Sequence, residues 1–502
     1  MKPTVNKIFL LILITASFSF PQQKDSLSEK KSGININSLS ELRDQLDDYF
    51  NDPNFSNAIW GVFVKSLKTG EILYKRNADK LFNPASDMKL FTSAAALLLL
   101  GPDFTYETNF YVNGDLEKGV LKGDLIIQGS GDPTISNRFY DGEKTKILED
   151  WADTLKSKGI WVIKGNIYGD DSSFDNLNLG SGWTLDYESS WFAAPSGALS
   201  FNDNTLEIKI EPSEVNFPAK VSLLPSTEYC SLTSKVSTVD ENVESNLSAV
   251  RLRGSNQIIV SGIISKKSDP IIEHVSISDP TMFFLTVLRE VLESRGIVIQ
   301  GHIGNLSAAD NKIHPDNLTP IYSHRSIPLK KIIKELNKNS NNFYAEQLLK
   351  TMGLEIFNYG TSANGARACK GIFNTMGVNP DNMVMADGSG LSRLDLVTPK
   401  QIVNLLSFMY KSDEFQNFYG SLPIAGIDGT LINRMKKTAA ENNVRAKAGY
   451  NNNISSLSGY LRTFGGENLV FSIMVNNFVT SPSLATYIQD NVCNRLINFI
   501  RN

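Results

Sequence analysis

Residues 84–101 read Pro-Ala-Ser-Asp-Met-Lys-Leu-Phe-Thr-Ser-Ala-Ala-Ala-Leu-Leu-Leu-Leu-Gly, an apolar helical pattern that begins at Ser86 and stops before Gly101, the expected C′ glycine. Lys89 follows Ser86 by three residues, which places both side chains on one helix face. A serine hydroxyl becomes nucleophilic when a neighbour accepts its proton, and a lysine with a lowered pKa can do so. The stretch therefore predicts a nucleophile and its base at a helix N-terminus. The alternative is that Ser86 only caps the helix, since residues 28–31 show the same spacing in a polar segment.

A second polar motif, Asn-Ser-Asn-Asn at residues 339–342, lies between two segments of helical periodicity. On a tight turn, Ser340 and Asn342 can face the same cleft. Ser340 could then relay a proton to a leaving amine, and Asn342 could hold a substrate amide. The alternative is an ordinary polar turn between helices, and residues 200–202 also fit Ser-x-Asn.

A third motif, Arg-Ala-Lys-Ala-Gly-Tyr at residues 445–450, lies on a predicted strand ahead of a hairpin. Lys447 can present its charge to a substrate carboxylate, and the small Gly449 lets another backbone approach. The alternative is an edge strand with a protective lysine. The literal Lys-Thr-Gly at residues 68–70 precedes the nucleophile on a predicted surface turn and is interpreted as a coincidence.

The order of the three motifs is more specific than any one of them. Ser-x-x-Lys, Ser-x-Asn and Lys-x-Gly follow one another as in class A β-lactamases and penicillin-binding proteins. About 250 residues separate Ser86 from Ser340. Further matching stretches lie between Gly61 and Asn476, and they are residues 129–134, 170–175, 199–204, 387–393 and 422–430. The chain thus resembles the low-molecular-mass class C penicillin-binding proteins, the S13 family of D-Ala-D-Ala carboxypeptidases and endopeptidases.

The resemblance implies roles for the catalytic residues. Ser86 resembles the acylated nucleophile and Lys89 its general base. Ser340 resembles the proton relay to the departing D-Ala, Asn342 the amide that holds the peptide, and Lys447 the electrostatic partner.

Substrate-binding residues also follow from the resemblance. Ala448, Gly449 and Tyr450 would line the substrate, with the backbone N–H groups of Ser86 and Tyr450 as the oxyanion hole. Arg393 lies where relatives bind the far end of the diaminopimelate side chain. Asp186, in the β-rich block, is a second candidate for the same subsite.

Two positions depart from the family pattern. Asn341 replaces the usual aspartate, and Ala448 replaces the threonine that helps to hold the substrate carboxylate. The resemblance implies a serine peptidase that acts on peptidoglycan stem peptides, is inhibited by β-lactam antibiotics and needs no metal or organic cofactor. A catalytically weak peptidoglycan-binding relative and a β-lactamase remain alternatives, as does the choice between carboxypeptidase and endopeptidase activity.

The periodicity predicts an α+β fold with an inserted β-rich block, and the resemblance implies that this is the penicillin-binding protein and β-lactamase type of fold with inserted β-rich domains. Short alternating runs dominate residues 105–277, the predicted insertion, whereas residues 37–104 and 278–502 form the predicted catalytic domain. Helices are expected at Leu39–Phe50 and Leu484–Ile500, among others. Strands are expected at residues 444–447, 457–463 and 469–476.

The N-terminus predicts export. Lys2 and Lys7 precede a short apolar run that turns polar after Phe20, as in a secretory signal peptide over residues 1–20, followed by a linker at 21–36. A membrane anchor is the alternative, but the run is shorter than the ~20 residues of a spanning helix. We therefore expect a periplasmic or extracytoplasmic protein with no stable membrane span after cleavage.

Composition excludes other classes of protein. The 502 residues carry a net charge of −4 and no long basic cluster, so no nucleic-acid partner is expected. The four histidines show no zinc-binding spacing. The three cysteines, Cys230, Cys369 and Cys493, leave open one disulfide and one free thiol.

Overall fold

The computed structural model describes residues 38–501 apart from residues 178, 310–312 and 314–317, so the predicted signal peptide and linker lie outside the described residues. The first helix, α1, has the predicted bounds. Its buried residues Leu42, Leu46 and Phe50 recur every four positions, and the Ser38 hydroxyl accepts a hydrogen bond from the N–H of Glu41 at 3.1 Å.

The helices of the described part are α1 Leu39–Phe50, α2 Met88–Leu99, α3 Lys146–Ser157, α4 Pro280–Ser294, α5 Leu329–Asn339, α6 Asn342–Phe357, α7 Ser362–Thr375, α8 Pro399–Met409, α9 Phe415–Ser421 and α10 Pro482–Ile497. The strands there are β1 Ile59–Ser66, β2 Ile72–Arg76, β3 Glu107–Glu117, β4 Val120–Gln128, β5 Val162–Ile163, β6 Ile167–Asp170, β7 Thr205–Glu211, β8 Lys220–Leu224, β9 Ser231–Val239, β10 Asn246–Arg251, β11 Gln257–Ser265, β12 Ile271–Ser276, β13 Val298–Ile299, β14 Ile303–Asn305, β15 Thr319–Arg325, β16 Arg445–Asn451, β17 Ile454–Arg462 and β18 Asn468–Asn476. The predicted α+β class is confirmed.

One antiparallel sheet positions the three motifs. Its strand order is β16-β17-β18-β1-β2, which leaves β16 at an edge. One face packs against α1 and α10, and the other packs against α2 and α8, each through its own apolar cluster. Both faces of β17 and β18 are therefore buried. This explains why the sequences of these two strands consist almost entirely of apolar and small residues.

The β-rich block contains three further sheets around a separate apolar cluster. A mixed seven-stranded sheet contains β3 to β6 together with β13, β14 and β15, and two three-stranded sheets have the orders β12-β7-β8 and β10-β11-β9. Because β13 to β15 follow residue 277 and still pair with β5, β6 and β3, the sheet continues past the predicted end of the insertion. The domain boundaries stay a prediction.

The cysteines form no disulfide with one another. Cys369 is buried against α2 and α6, Cys493 is buried between α10 and the sheet, and Cys230 lies beside the β-rich core. The sequence left one bridge open, and the structure forms none among the three cysteines, because their thiols belong to three different apolar clusters.

No helix in the described ranges is long and apolar enough to cross a membrane. Within the same ranges, no group of three or more His, Cys, Asp or Glu side chains is arranged to hold a metal ion.

Candidate active site

The first motif lies where the chain enters α2. A short 3₁₀ turn, Ala85–Asp87, precedes the helix and presents the half-buried Ser86. The Asn83 side chain accepts a hydrogen bond from the N–H of Ala85 at 3.0 Å, and Ala85 has a φ of +46°. The predicted helix start at Ser86 is thus a tighter turn that continues directly into α2.

The Lys89 ammonium joins three distant parts of the chain. Its Nζ donates to Ser86 Oγ at 3.1 Å, to Asn342 Oδ1 at 2.6 Å and to the carbonyl of Ser389 at 2.6 Å. Lys89 is completely buried, and this burial, followed by the neighbouring charge of Lys447, holds its pKa well below the usual value. The arrangement brings a lysine that can lose its proton next to a serine hydroxyl.

Asp387 fixes the loop that supplies one of these contacts. Its carboxylate accepts hydrogen bonds from the N–H groups of Ser389, Gly390 and Ser392, and from the Trp183 indole at 2.8 Å. These bonds fold residues 387–392 tightly around the carboxylate and aim the Ser389 carbonyl at Lys89 Nζ. A backbone acceptor of this kind has no side-chain signature in the sequence.

The second motif lies on the turn between α5 and α6. Ser340 adopts a left-handed conformation with φ +55°, and its hydroxyl accepts a hydrogen bond from Lys447 Nζ at 2.8 Å. The first residue of α6, Asn342, turns its amide oxygen to Lys89 and donates from Nδ2 to the carbonyl of Phe192 at 2.7 Å. The turn thus carries both side chains into one cleft.

Asn341, the departure within this motif, points elsewhere. Its Oδ1 accepts the N–H of Tyr344 and so caps α6, and its Nδ2 donates to Asp203 at 3.1 Å. An aspartate would also cap the helix, but it would bring a second carboxylate against Asp203. Asn341 therefore serves the local fold and not the Ser86–Lys89 pair.

The third motif forms the edge strand β16. Lys447 also donates to the carbonyl of Ala448 at 2.6 Å. Backbone groups of residues two apart point to the same side of an antiparallel strand, so the N–H of Tyr450 points to that side as well. A Cβ added to Gly449 would lie 2.7 Å from the nitrogen of Ser86, which shows how closely the strand approaches the nucleophile.

Buried charges surround the nucleophile. Burial lowers the pKa of Lys447 to about 8, although Asp87 opposes the shift. Burial raises the pKa of Asp87 to about 7. The Ser458 hydroxyl donates a hydrogen bond to the Asp87 carboxylate at 2.6 Å, and this bond opposes the rise. The site thus holds two lysines and one carboxyl whose protonation states are set by removal from water.

A cavity of about 430 Å³ contains the nucleophile. Its lining residues are Ser86, Ser340, Thr430, Arg434, Ala448, Gly449, Tyr450, Ser455, Pro482, Ser483 and Thr486. It therefore includes one residue from each of the first two motifs and three from the third, together with residues before β16 and at the start of α10. Thr430 ends the matching stretch 422–430, but neither it nor Arg434 was predicted as a site residue, because they belong to none of the three motifs.

The structure separates Arg393 and Asp186 from this cavity. Arg393 lines a neighbouring cavity of about 840 Å³ and donates to the carbonyl of Asn452 at 2.9 Å. Asp186 is exposed on a short 3₁₀ turn whose Tyr187 hydroxyl lies 3.4 Å from Asn451 Oδ1. Both predicted residues thus flank the turn after β16, and neither lines the cavity that contains Ser86.

Comparison with known proteins points to one group. The model of the D-Ala-D-Ala carboxypeptidase 3 (S13) family matches residues 42–498. A D-alanyl-D-alanine carboxypeptidase of Actinomadura sp. (strain R39) is 33% identical over 92% of this chain and 85% of its own length. The D-alanyl-D-alanine carboxypeptidase DacB of Haemophilus influenzae is 27% identical over 93% of this chain and 92% of its own. The crystal structure of penicillin binding protein 4 from Haemophilus influenzae superposes with a TM-score of 0.78 at 25% identity, covering 92% of this chain and all of that one.

Proposed function

The chain belongs to the D-Ala-D-Ala carboxypeptidase S13 family, and on that basis we propose that it cleaves the peptide bond of D-Ala-D-Ala ends, or of cross-links, in peptidoglycan through an acyl-enzyme on Ser86. The family, the enzyme class and the fold agree with the motif-based prediction. The observation that carries the proposal for Ser86 is the buried Lys89, whose Nζ lies 3.1 Å from the Ser86 hydroxyl.

Acylation begins with proton transfer within the Ser86–Lys89 pair. Neutral Lys89 accepts the hydroxyl proton as Ser86 Oγ attacks the carbonyl carbon of the penultimate D-Ala. The tetrahedral oxyanion then receives hydrogen bonds from the N–H groups of Ser86 and Tyr450. Because Asn342 and the Ser389 carbonyl hold Lys89 in place, the base needs little rearrangement between the two protonation states.

The leaving group needs the proton that Lys89 has taken. Ser340 is suited to relay it, since its hydroxyl is bonded to Lys447 and faces the same cavity as Ser86. The C–N bond breaks, the terminal D-Ala leaves as an amine, and the acyl group stays on Ser86. Water then attacks the ester, with Lys89 again accepting a proton, and releases the shortened peptide.

Arg393 and Asp186 are proposed to bind the side chain of the third stem residue. Support comes from their position on either side of the turn after β16, next to the strand on which the substrate backbone would lie. β-Lactams are proposed to acylate Ser86 in the same way as the peptide, because both present an amide carbonyl and a nearby carboxylate to one nucleophile, and the β-lactam amide is in addition strained. The substrate is extracytoplasmic, so the proposal includes export through the predicted signal peptide.

The alternative of a catalytically weak binding relative rested on Asn341 and Ala448. Asn341 caps α6, and the hydrogen bonds of Lys89 to Ser86 and of Lys447 to Ser340 are both in place beside it. This arrangement favours an enzyme. A β-lactamase would additionally need rapid hydrolysis of the penicilloyl ester.

Release of D-Ala from a peptide ending in D-Ala-D-Ala tests the proposal. The wild-type protein should liberate D-Ala, and Ser86→Ala should not, while its melting temperature stays close to that of the wild type. Ser28→Ala is the matched control and should behave as the wild type. No release by the wild type, or release by Ser86→Ala, would exclude the proposed reaction.

A further inference from the structure

The substrate carboxylate lacks its usual hydroxyl partner on β16. Ala448 carries no donor, and its side chain packs against the apolar cluster beneath α10. A terminal D-Ala nevertheless brings a full negative charge into the cavity beside Ser86 and Ser340. Lys447 supplies positive charge nearby, but its Nζ already donates to Ser340 Oγ and to the Ala448 carbonyl, so a second group should bind this costly buried charge.

Arg434 lines the same cavity and carries the required charge. Its Nε and Nη2 donate to Asp490 Oδ1 at 3.0 and 2.6 Å, and Nη2 also contacts Gln489 Oε1 at 3.1 Å. Among the hydrogen bonds of the described residues, none uses Nη1. One edge of the guanidinium is thus held rigidly by α10, while Nη1 remains available for a ligand.

The segment that carries Arg434 is fixed at both ends. The Asp428 carboxylate accepts from Lys338 Nζ at 2.6 Å, and Lys338 lies two residues before Ser340 on the same helix end. Arg434 itself is bound to α10 through Asp490. Thr430 lies between these two ion pairs and also lines the cavity. The guanidinium is therefore positioned before any substrate arrives.

The charge of Arg434 acts on the neighbourhood of the nucleophile. Burial raises the pKa of Asp87, and Arg434 is among the positive charges that oppose this rise. Asp87 directly follows Ser86. A carboxylate bound in the cavity would also experience this positive charge, because Ser86 and Arg434 line the same cavity.

We propose that Arg434, assisted by the Thr430 hydroxyl, binds the terminal carboxylate of the peptide and takes the place of the hydroxyl missing at Ala448. The inference rests on the proposed function, since it assigns the carboxylate of that same substrate. It makes Arg434 the residue by which this enzyme recognises a free C-terminal D-amino acid.

The test compares two substrates that share one acyl-D-Ala group. In the first, this group is joined to a terminal D-Ala, which carries a free carboxylate. In the second, it forms a methyl thioester, so the leaving group has no carboxylate. Arg434→Gln should lower kcat/KM for the carboxylate substrate about 10- to 100-fold, as expected for the loss of a hydrogen bond to a charged group, and should hardly change the thioester reaction. Arg434→Lys, which keeps a cation beside Asp490, should show an intermediate loss. The loss should appear mainly in KM.

Lys436→Gln is the matched control, because it removes an exposed cation two residues from Arg434 that does not line the cavity. It should keep the ratio of the two kcat/KM values at the wild-type level. Equal losses of Arg434→Gln on both substrates, or no loss on the carboxylate substrate, would overturn the inference. If Arg434→Gln does not fold, the ratio of the two kcat/KM values measured for Arg434→Lys distinguishes the same two outcomes. A wild-type protein that cleaves neither substrate would instead contradict the proposed function.

Discussion

At the scale of single residues, two opposing effects determine whether the Lys89 amine is protonated. Three acceptors around Nζ favour the ammonium, but complete burial and the charge of Lys447 favour the neutral amine. Burial dominates, because removal of a full charge from water costs more than three hydrogen bonds return. The same acceptors keep the amine aimed at Ser86 after it has lost its proton.

The two lysines predict the pH dependence of acylation. Lys89 must be neutral to act as base, and burial holds its pKa well below the usual value, so activity should fall as the pH drops through this lowered pKa. Lys447 must stay charged, and its pKa of about 8 means that activity should also fall as the pH rises through this value. The measurement is the second-order rate constant for penicillin acylation between pH 5 and 10.

Lys447→Arg serves as the control for the alkaline limb. An arginine keeps its charge throughout this range, so the remaining activity of the variant should no longer fall near pH 8. An unchanged alkaline limb in Lys447→Arg would assign that limb to another group.

The sequence predicted the reactive side chains but not what holds them. Ser86, Lys89, Ser340, Asn342 and Lys447 stand in motifs whose spacing is visible, and the structure brings them together. The carbonyls of Ser389 and Phe192 that orient two of them could not be foreseen, because every residue carries a carbonyl and only the fold selects one.

At the scale of elements, the edge strand β16 contacts the turn before α2. A Cβ on Gly449 would lie 2.3 Å from Ser456 Oγ, 2.7 Å from the Ser86 nitrogen and 3.0 Å from the Pro84 carbonyl. Two of these atoms belong to backbone and cannot turn away. Gly449 is therefore required by the close approach of strand and turn.

Gly449→Ala should abolish, or reduce by more than tenfold, the rate of penicillin acylation, because the strand must move away from Ser86 and with it the oxyanion-hole N–H of Tyr450. Gly371→Ala is the matched control, since no atom lies within 4 Å of its added Cβ. The control should acylate at the wild-type rate. Normal acylation of Gly449→Ala would show that β16 does not form this wall of the site.

Element boundaries were less predictable than elements. The last helix was expected at Leu484–Ile500 and is observed at Pro482–Ile497, with Ser481 as its cap. It ends early because the N–H of Phe464 donates a hydrogen bond to the carbonyl of Ile497 at 2.8 Å. The two residues are far apart in the sequence, so no local pattern predicts this end of the helix. The strand predicted at residues 444–447 likewise extends to Asn451, since pairing with β17 continues through the hairpin.

At the scale of the whole molecule, the β-rich block contacts the helix that carries Asn342. Lys350 of α6 forms an ion pair with Asp175 at 2.7 Å, and both side chains are largely removed from water. The Phe174 ring lies beside the same ammonium, 5.9 Å from its Nζ. The pair thus fixes α6 against the segment after β6, and with it the position of the second motif.

Lys350→Met should lower the free energy of unfolding by about 3 kcal/mol, because it leaves Asp175 as an uncompensated, largely buried charge. Lys146→Met removes an exposed ion pair with Asp150 and should leave the free energy of unfolding nearly unchanged. Urea titration of both variants gives the comparison. Equal small losses would mean that the Lys350–Asp175 pair does not hold the block to α6.

Every step of the proposed reaction depends on Ser86 as the nucleophile. The decisive measurement is intact mass after incubation with a penicillin, followed by peptide mapping of the adduct. One added penicillin is expected, located on the peptide that contains Ser86, and no adduct is expected on Ser86→Ala. An adduct on Ser340 or Ser28, or one that persists in Ser86→Ala, would contradict this assignment.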